Sequence, residues 1–98
     1  MTKRRSEILD LLASQKEELA RRFGVRGLAV FGSTVRGEAR TDSDVDILVT
    51  FEGRATSERY FGVQFYLEDL LGRPVDLVTD KALRPELRPY IEREAIHV

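Results

Sequence analysis

The chain has no cysteine among its 98 residues. This rules out a disulfide framework, a cysteine-based zinc site and a thiol nucleophile. Histidine is nearly as scarce: the single copy, His97, lies one residue from the C-terminus, and no serine–histidine–aspartate arrangement can be drawn. No excess charge of either sign is present, since 16 basic residues face 17 acidic ones. A general binder of nucleic acid or of an anionic membrane is therefore disfavoured, because such surfaces usually carry a basic surplus. No apolar stretch approaches membrane-spanning length, and the basic start Met1-Thr2-Lys3-Arg4-Arg5-Ser6 is not followed by a signal-peptide apolar region. A cytoplasmic protein is expected. There is no Gly-x-x-x-x-Gly-Lys run, which excludes the P-loop route to nucleotide binding. Repeats, low-complexity segments and linkers are also lacking. An apolar share of 42% and a charged share of 34% fit a globular chain, and the length suits a single domain spanning 1–98.

Hydrophobic periodicity predicts one helix from about Arg5 to Phe23, with Ile8, Leu11, Leu12, Leu19 and Phe23 on its apolar side and Gly24 as the stop. Leu28-Ala29-Val30-Phe31 reads as a short buried strand ended by Gly32-Ser33. Thr34 to Arg40 has room for one helical turn, and Thr41-Asp42-Ser43 reads as a loop in which Ser43 shapes the turn. Val45 to Phe51, rich in β-branched residues, is the second strand. Thr56 or Ser57 can cap a helix from about Glu58 to Leu71, with Tyr60, Val63, Leu67, Leu70 and Leu71 on its apolar side and Phe61 and Phe65 beside them. Val75-Asp76-Leu77-Val78 is a third strand, and Asp80 is expected to cap a turn through Leu83. Pro89 suits the first turn of a last helix ending near Glu94, and Ile96-His97-Val98 a small edge strand. The order helix, strand, strand, helix, strand, helix predicts an α/β (α+β) domain, a small mixed sheet with helices packed on it.

Three acids stand out against this frame. Side chains alternate along a strand, so Asp44 and Asp46 share one face while Val45 and Ile47 take the other. Carboxylates two residues apart lie roughly 6.5–7 Å apart along the backbone. At about 6 Å, two unit charges repel by ~3 kcal/mol at an effective dielectric near 20. A hard cation between them removes that cost, and magnesium commonly shares one or two carboxylates with substrate phosphates. Asp76 is again a lone acid in an apolar strand. If that strand pairs beside Val45–Phe51, Asp76 joins the other two, and three carboxylates can hold two metals about 3.5–4 Å apart for phosphoryl displacement. The bend at Gly32-Ser33 offers free backbone N–H groups, a close approach for phosphate and a hydroxyl donor. Arg36 can reach a phosphate with its planar fork or can be a solvated loop arginine. Arg84, Arg88 and Arg93 form a loose basic stretch, read as a solvated face or as a docking surface for an acidic partner.

Together, Phe31-Gly32-Ser33, the spacer through Ser43, Asp44-Val45-Asp46 and the later Asp76 resemble the nucleotidyltransferase superfamily related to DNA polymerase beta. Arg36-Gly37 and Ser43-Asp44 match its small prokaryotic branch. In particular, the chain resembles the minimal nucleotidyltransferase antitoxin paired with a HEPN-domain ribonuclease toxin. The resemblance implies Gly32 and Ser33 on the triphosphate of ATP, Asp44 and Asp46 on both of two magnesium ions, and Asp76 on the ion that activates the acceptor. It also implies AMP transfer from ATP to a tyrosine hydroxyl of the toxin, with which the chain would form a hetero-oligomer. At this length no second domain is expected to close over the nucleotide, and a partner is expected to complete the acceptor pocket. Two alternatives stay open: a non-catalytic antitoxin that neutralises by binding, and a small-molecule nucleotidyltransferase.

Overall fold

The computed structural model describes residues 4–37 and 44–98. The expected loop Thr41-Asp42-Ser43, and the part of the predicted helical turn beyond Gly37, lie outside the described residues. Helices α1 (Arg5–Ser14) and α2 (Lys16–Phe23) precede strand β1 (Val25–Phe31) and the short α3 (Ser33–Arg36). Strand β2 (Val45–Phe51), α4 (Ser57–Leu71) and β3 (Val75–Thr79) follow. A 3-10 turn (Asp80–Ala82), α5 (Arg88–Glu94) and β4 (Ile96–His97) complete the chain.

The four strands form one mixed sheet in the order β3-β2-β1-β4. β1 is antiparallel to both β2 and β4, while β2 and β3 run parallel and are joined through α4. Alternation divides the sheet into two faces. Val45, Ile47 and Val49 of β2, with Val75 and Leu77 of β3, pack against Ile8, Leu12, Leu19, Val63, Leu67 and Leu71 of the helices. On the opposite face Ala29, Leu48 and Leu83 form a smaller cluster with Phe31, Val78, Ile91 and Ala95. Asp46 and Asp76 point to this thinly covered face, because their strand neighbours point to the other.

The structure departs from the sequence-based expectations at several points. The first helix is broken at Gln15 (φ −107°, ψ 4°), whose side-chain oxygen accepts from the Tyr66 hydroxyl of α4. The first strand begins at Val25, three residues early. A register shift between Val25 and Gly27 puts Val25 and Leu28 on the same face, which hides the strand's alternation. The 3-10 turn is capped by Thr79, whose hydroxyl accepts from the Ala82 N–H at 3.2 Å, and not by Asp80. Phe61 and Phe65 stack on each other at 50% and 65% exposure, outside the core. Arg88 of the basic stretch pairs with Asp80 and Glu92 at 3.0 and 3.2 Å. Thr56 does cap α4, accepting from the Arg59 N–H at 3.2 Å.

The edge strand β3 is tied down by α4. The Val75 N–H donates to Glu68, Gln64 donates to the Val75 carbonyl, and the Tyr60 hydroxyl donates to the Leu77 carbonyl. These three bonds flank Asp76 and fix its strand. The helix also approaches α2 closely at Gly62, where an added Cβ would lie 2.6 Å from a Phe23 ring carbon. Helix propensity alone favours Gly62→Ala by about 1 kcal/mol. Overpacking against the Phe23 ring outweighs that gain, so urea denaturation is expected to show a net loss of about 1–2 kcal/mol; a gain would mean that the ring moves freely.

Candidate active site

The end of β1 and the starts of β2 and β3 meet at one spot. Asp46 is the direct partner of Asp76 across the parallel pair and of Phe31 across the antiparallel one. Gly32, next after Phe31, lies against the Asp46 carboxylate: a Cβ there would stand 2.1 Å from Oδ2. Its backbone, at φ 74° and ψ −150°, lies in a region open essentially to glycine alone. Ser33 then opens α3, whose first turn is closed by N–H groups of Val35 and Arg36 donating to the Gly32 carbonyl at 3.1 and 3.2 Å. Arg5 donates to the Val35 carbonyl at 3.0 Å, tying α1 to this turn.

The electrostatics follow from the crowding. Burial pushes the Asp46 carboxyl from 3.8 up to about 6. The Asp76 charge and a hydrogen bond shared with Asp76 add to the rise, the Asp44 charge adds less, and Arg36 opposes it. Asp46 is half-buried, whereas Asp44, just ahead of β2, and Asp76 are exposed. Among the described residues no three acidic or histidine side chains are already gathered around one point that could hold an ion. The facing pair Asp46–Asp76 nevertheless suits a hard divalent cation. It offers oxygen donors only, and the repulsion that raises Asp46 is what such an ion relieves. The Asp44 charge is near enough to add to the rise at Asp46.

One site residue has no signal in the sequence. Glu94, the last residue of α5, accepts from the Gly32 N–H at 2.8 Å and pairs with Arg36 at 3.1 Å. It lies 62 positions from Gly32 along the chain. The antiparallel pairing of β4 with β1 at Ala29 and Val30 brings the end of α5 to the end of β1. His97 lies on β4, the far edge of the sheet from β3.

Residues 12–98, which carry the mixed sheet, the paired acids and the glycine–serine bend, match the nucleotidyltransferase domain. The chain belongs to that family, and it is a nucleotidyltransferase. A protein of Thermococcus cleftensis named protein adenylyltransferase MntA is 48% identical over 92 residues, covering 94% of this chain and 93% of its own. A solved structure described as a minimal nucleotidyltransferase matches with a TM-score of 0.73 at 43% identity, over 90% of this chain and 93% of the other. A solved complex of tri-AMPylated Shewanella oneidensis HEPN toxin with MNT antitoxin matches with a TM-score of 0.59 at 18% identity, over 95% of this chain and 66% of the other. That last likeness is one of fold alone. The resemblance read from the sequence is thus borne out for family and fold. No helix among the described residues is long and apolar enough to cross a membrane.

Proposed function

We propose that this chain, as one domain spanning 1–98, is a cytoplasmic antitoxin that transfers AMP from ATP to a tyrosine hydroxyl of a HEPN ribonuclease partner. The observation that carries this reading is the Asp46–Asp76 pair facing each other beside Gly32. The Thermococcus relative's name and the AMPylated HEPN toxin of the Shewanella complex support the choice of a protein acceptor.

Asp44, Asp46 and Asp76 would hold two magnesium ions, which when bound neutralise triphosphate charge and make the acceptor hydroxyl more acidic. The bare Cα of Gly32 makes room for the Asp46 carboxylate, and the Gly32 main-chain N–H is a donor for the triphosphate oxygens. Ser33 offers a hydroxyl donor to the same oxygens, and Arg36 offers its fork to the departing pyrophosphate. In the transfer the tyrosine oxygen bonds to the α-phosphorus, the bond from that phosphorus to the bridging oxygen breaks, and pyrophosphate leaves. The phenolic proton is released to water at the exposed rim where Asp76 lies. That rim leaves room for a protein-borne acceptor.

Mixing the chain with its partner, magnesium and ATP is expected to raise the partner's intact mass by one or more AMP units. The Asp44→Asn variant is expected to leave it unchanged. If neither wild type nor Asp44→Asn raises the mass, the enzymatic reading is lost. Neutralisation of the toxin by both would then mark an antitoxin that acts by binding, and AMP transfer to a small molecule without the partner would mark the other class of transferase.

A further inference from the structure

Glu94 takes the contacts that the proposed function assigns to a nucleotide. A main-chain N–H has one hydrogen and serves one strong acceptor at a time, and that of Gly32 is given to the Glu94 carboxylate at 2.8 Å. The same carboxylate holds Arg36 Nη1 with both oxygens, at 3.2 and 3.1 Å. We propose that Glu94 is a built-in anion that fills the triphosphate contacts at Gly32 and Arg36 in the nucleotide-free protein and is displaced when nucleotide enters. This rests on the reading of the site as a nucleotide site.

The physical case has three parts. Gly32 is buried, so its N–H needs a partner whenever no phosphate is present, and Glu94 provides one. The bound triphosphate and the Glu94 carboxylate are both anions seeking the same two donors, so they compete. Release of Glu94 also disturbs little. Its side chain is 28% exposed and can swing towards solvent. α5 spans only seven residues, none of them buried, and packs on the small Ala29–Leu48–Leu83 cluster through Ile91, with Ala95 just after it. Affinity for nucleotide therefore depends on the seating of α5, a part of the chain remote in sequence from the acids and the glycine–serine bend.

Calorimetric titration of the full chain with ATP and magnesium tests this. The near-isosteric Glu94→Gln keeps the shape but removes the charge. It is expected to bind ATP about tenfold more tightly than wild type, the weight of one charge-assisted hydrogen bond freed for the ligand. Equal or weaker binding by Glu94→Gln overturns the proposal while leaving the nucleotide site standing. Absence of binding by both proteins takes down the nucleotide reading and the proposal together. Should the variant not fold, NMR of wild type decides: ATP should shift the Gly32 amide and the Glu94 carboxyl carbon together, and a Glu94 carboxyl signal unmoved by saturating ATP refutes displacement.

Discussion

Asp46→Asn is expected to cut AMP transfer about a thousandfold while making the metal-free protein more stable at pH 8. The loss follows from removing the central carboxylate of the site: several kcal/mol of charge stabilisation disappear, and about 4 kcal/mol corresponds to a thousandfold in rate. The gain follows from linkage. The folded carboxyl lies at about 6, above its ordinary 3.8, so the folded state holds its proton more tightly than the unfolded chain. Between those two values the folded form binds more protons, and stability falls as pH rises through the interval. Above it, Asp46 is a charged, crowded group that opposes folding. The shift alone corresponds to about 3 kcal/mol at 1.36 kcal/mol per unit. Solvent screening at this half-buried position reduces the effect to about 1 kcal/mol. Asparagine removes the charge and so the penalty. Thermal melts in a chelator should show the variant ahead by roughly 4–8 °C at pH 8, narrowing to nothing near pH 4. A variant less stable than wild type across the whole range would show Asp46 to be a structural acid. A site that is costly to hold together without its ions is the usual signature of function placed on a fold.

Much of this site can be read from the chain because it lies on regular strands. In β2, Asp46 and Leu48 share one face and Val45, Ile47 and Val49 the other, as alternation requires. Asp76 falls beside Asp46 once β2 and β3 are neighbours, and a parallel pair joined by a helix the length of α4 makes them so. Glu94 was not legible, since its place depends on how the short β4 returns to β1, and two bridging residues leave almost no pattern. The break at Gln15 was hidden for another reason. Leu12 and Leu19 are seven residues apart, a spacing a continuous helix also satisfies, and the interruption coincides with a contact to Tyr66 far along the chain. Phe61 and Phe65 mislead similarly: helical periodicity puts them beside the apolar stripe but does not say how wide a stripe the sheet covers.

Gly32→Ala should be the most damaging single-methyl change in the chain, ending transfer and lowering stability by about 3 kcal/mol or more. Two costs coincide there. The backbone, at φ 74° and ψ −150°, suits no L side chain. The new methyl would also stand 2.1 Å from Asp46 Oδ2 and 2.9 Å from its carboxyl carbon, so the carboxylate has to leave the position it takes beside Asp76. Gly37→Ala separates the two costs. Gly37 also has a positive φ of 75°, but an added Cβ there meets nothing within 4 Å among the described residues. Its left-handed backbone alone should cost about 1–2 kcal/mol. In melting experiments Gly32→Ala is expected to fall by about 12 °C or more and Gly37→Ala by roughly a third to two thirds as much. Combining Gly32→Ala with Asp46→Ala gives the sharper test, since removing the carboxylate removes most of the clash. The double variant should be more stable than the sum of the two single changes allows, a coupling of about 1 kcal/mol or more between neighbouring sites, yet it should remain inactive. Strict additivity of the two changes would mean that Asp46 does not lie against the Gly32 backbone. The bend would then be a turn that happens to contain glycine, and not the wall of a site shaped around a carboxylate.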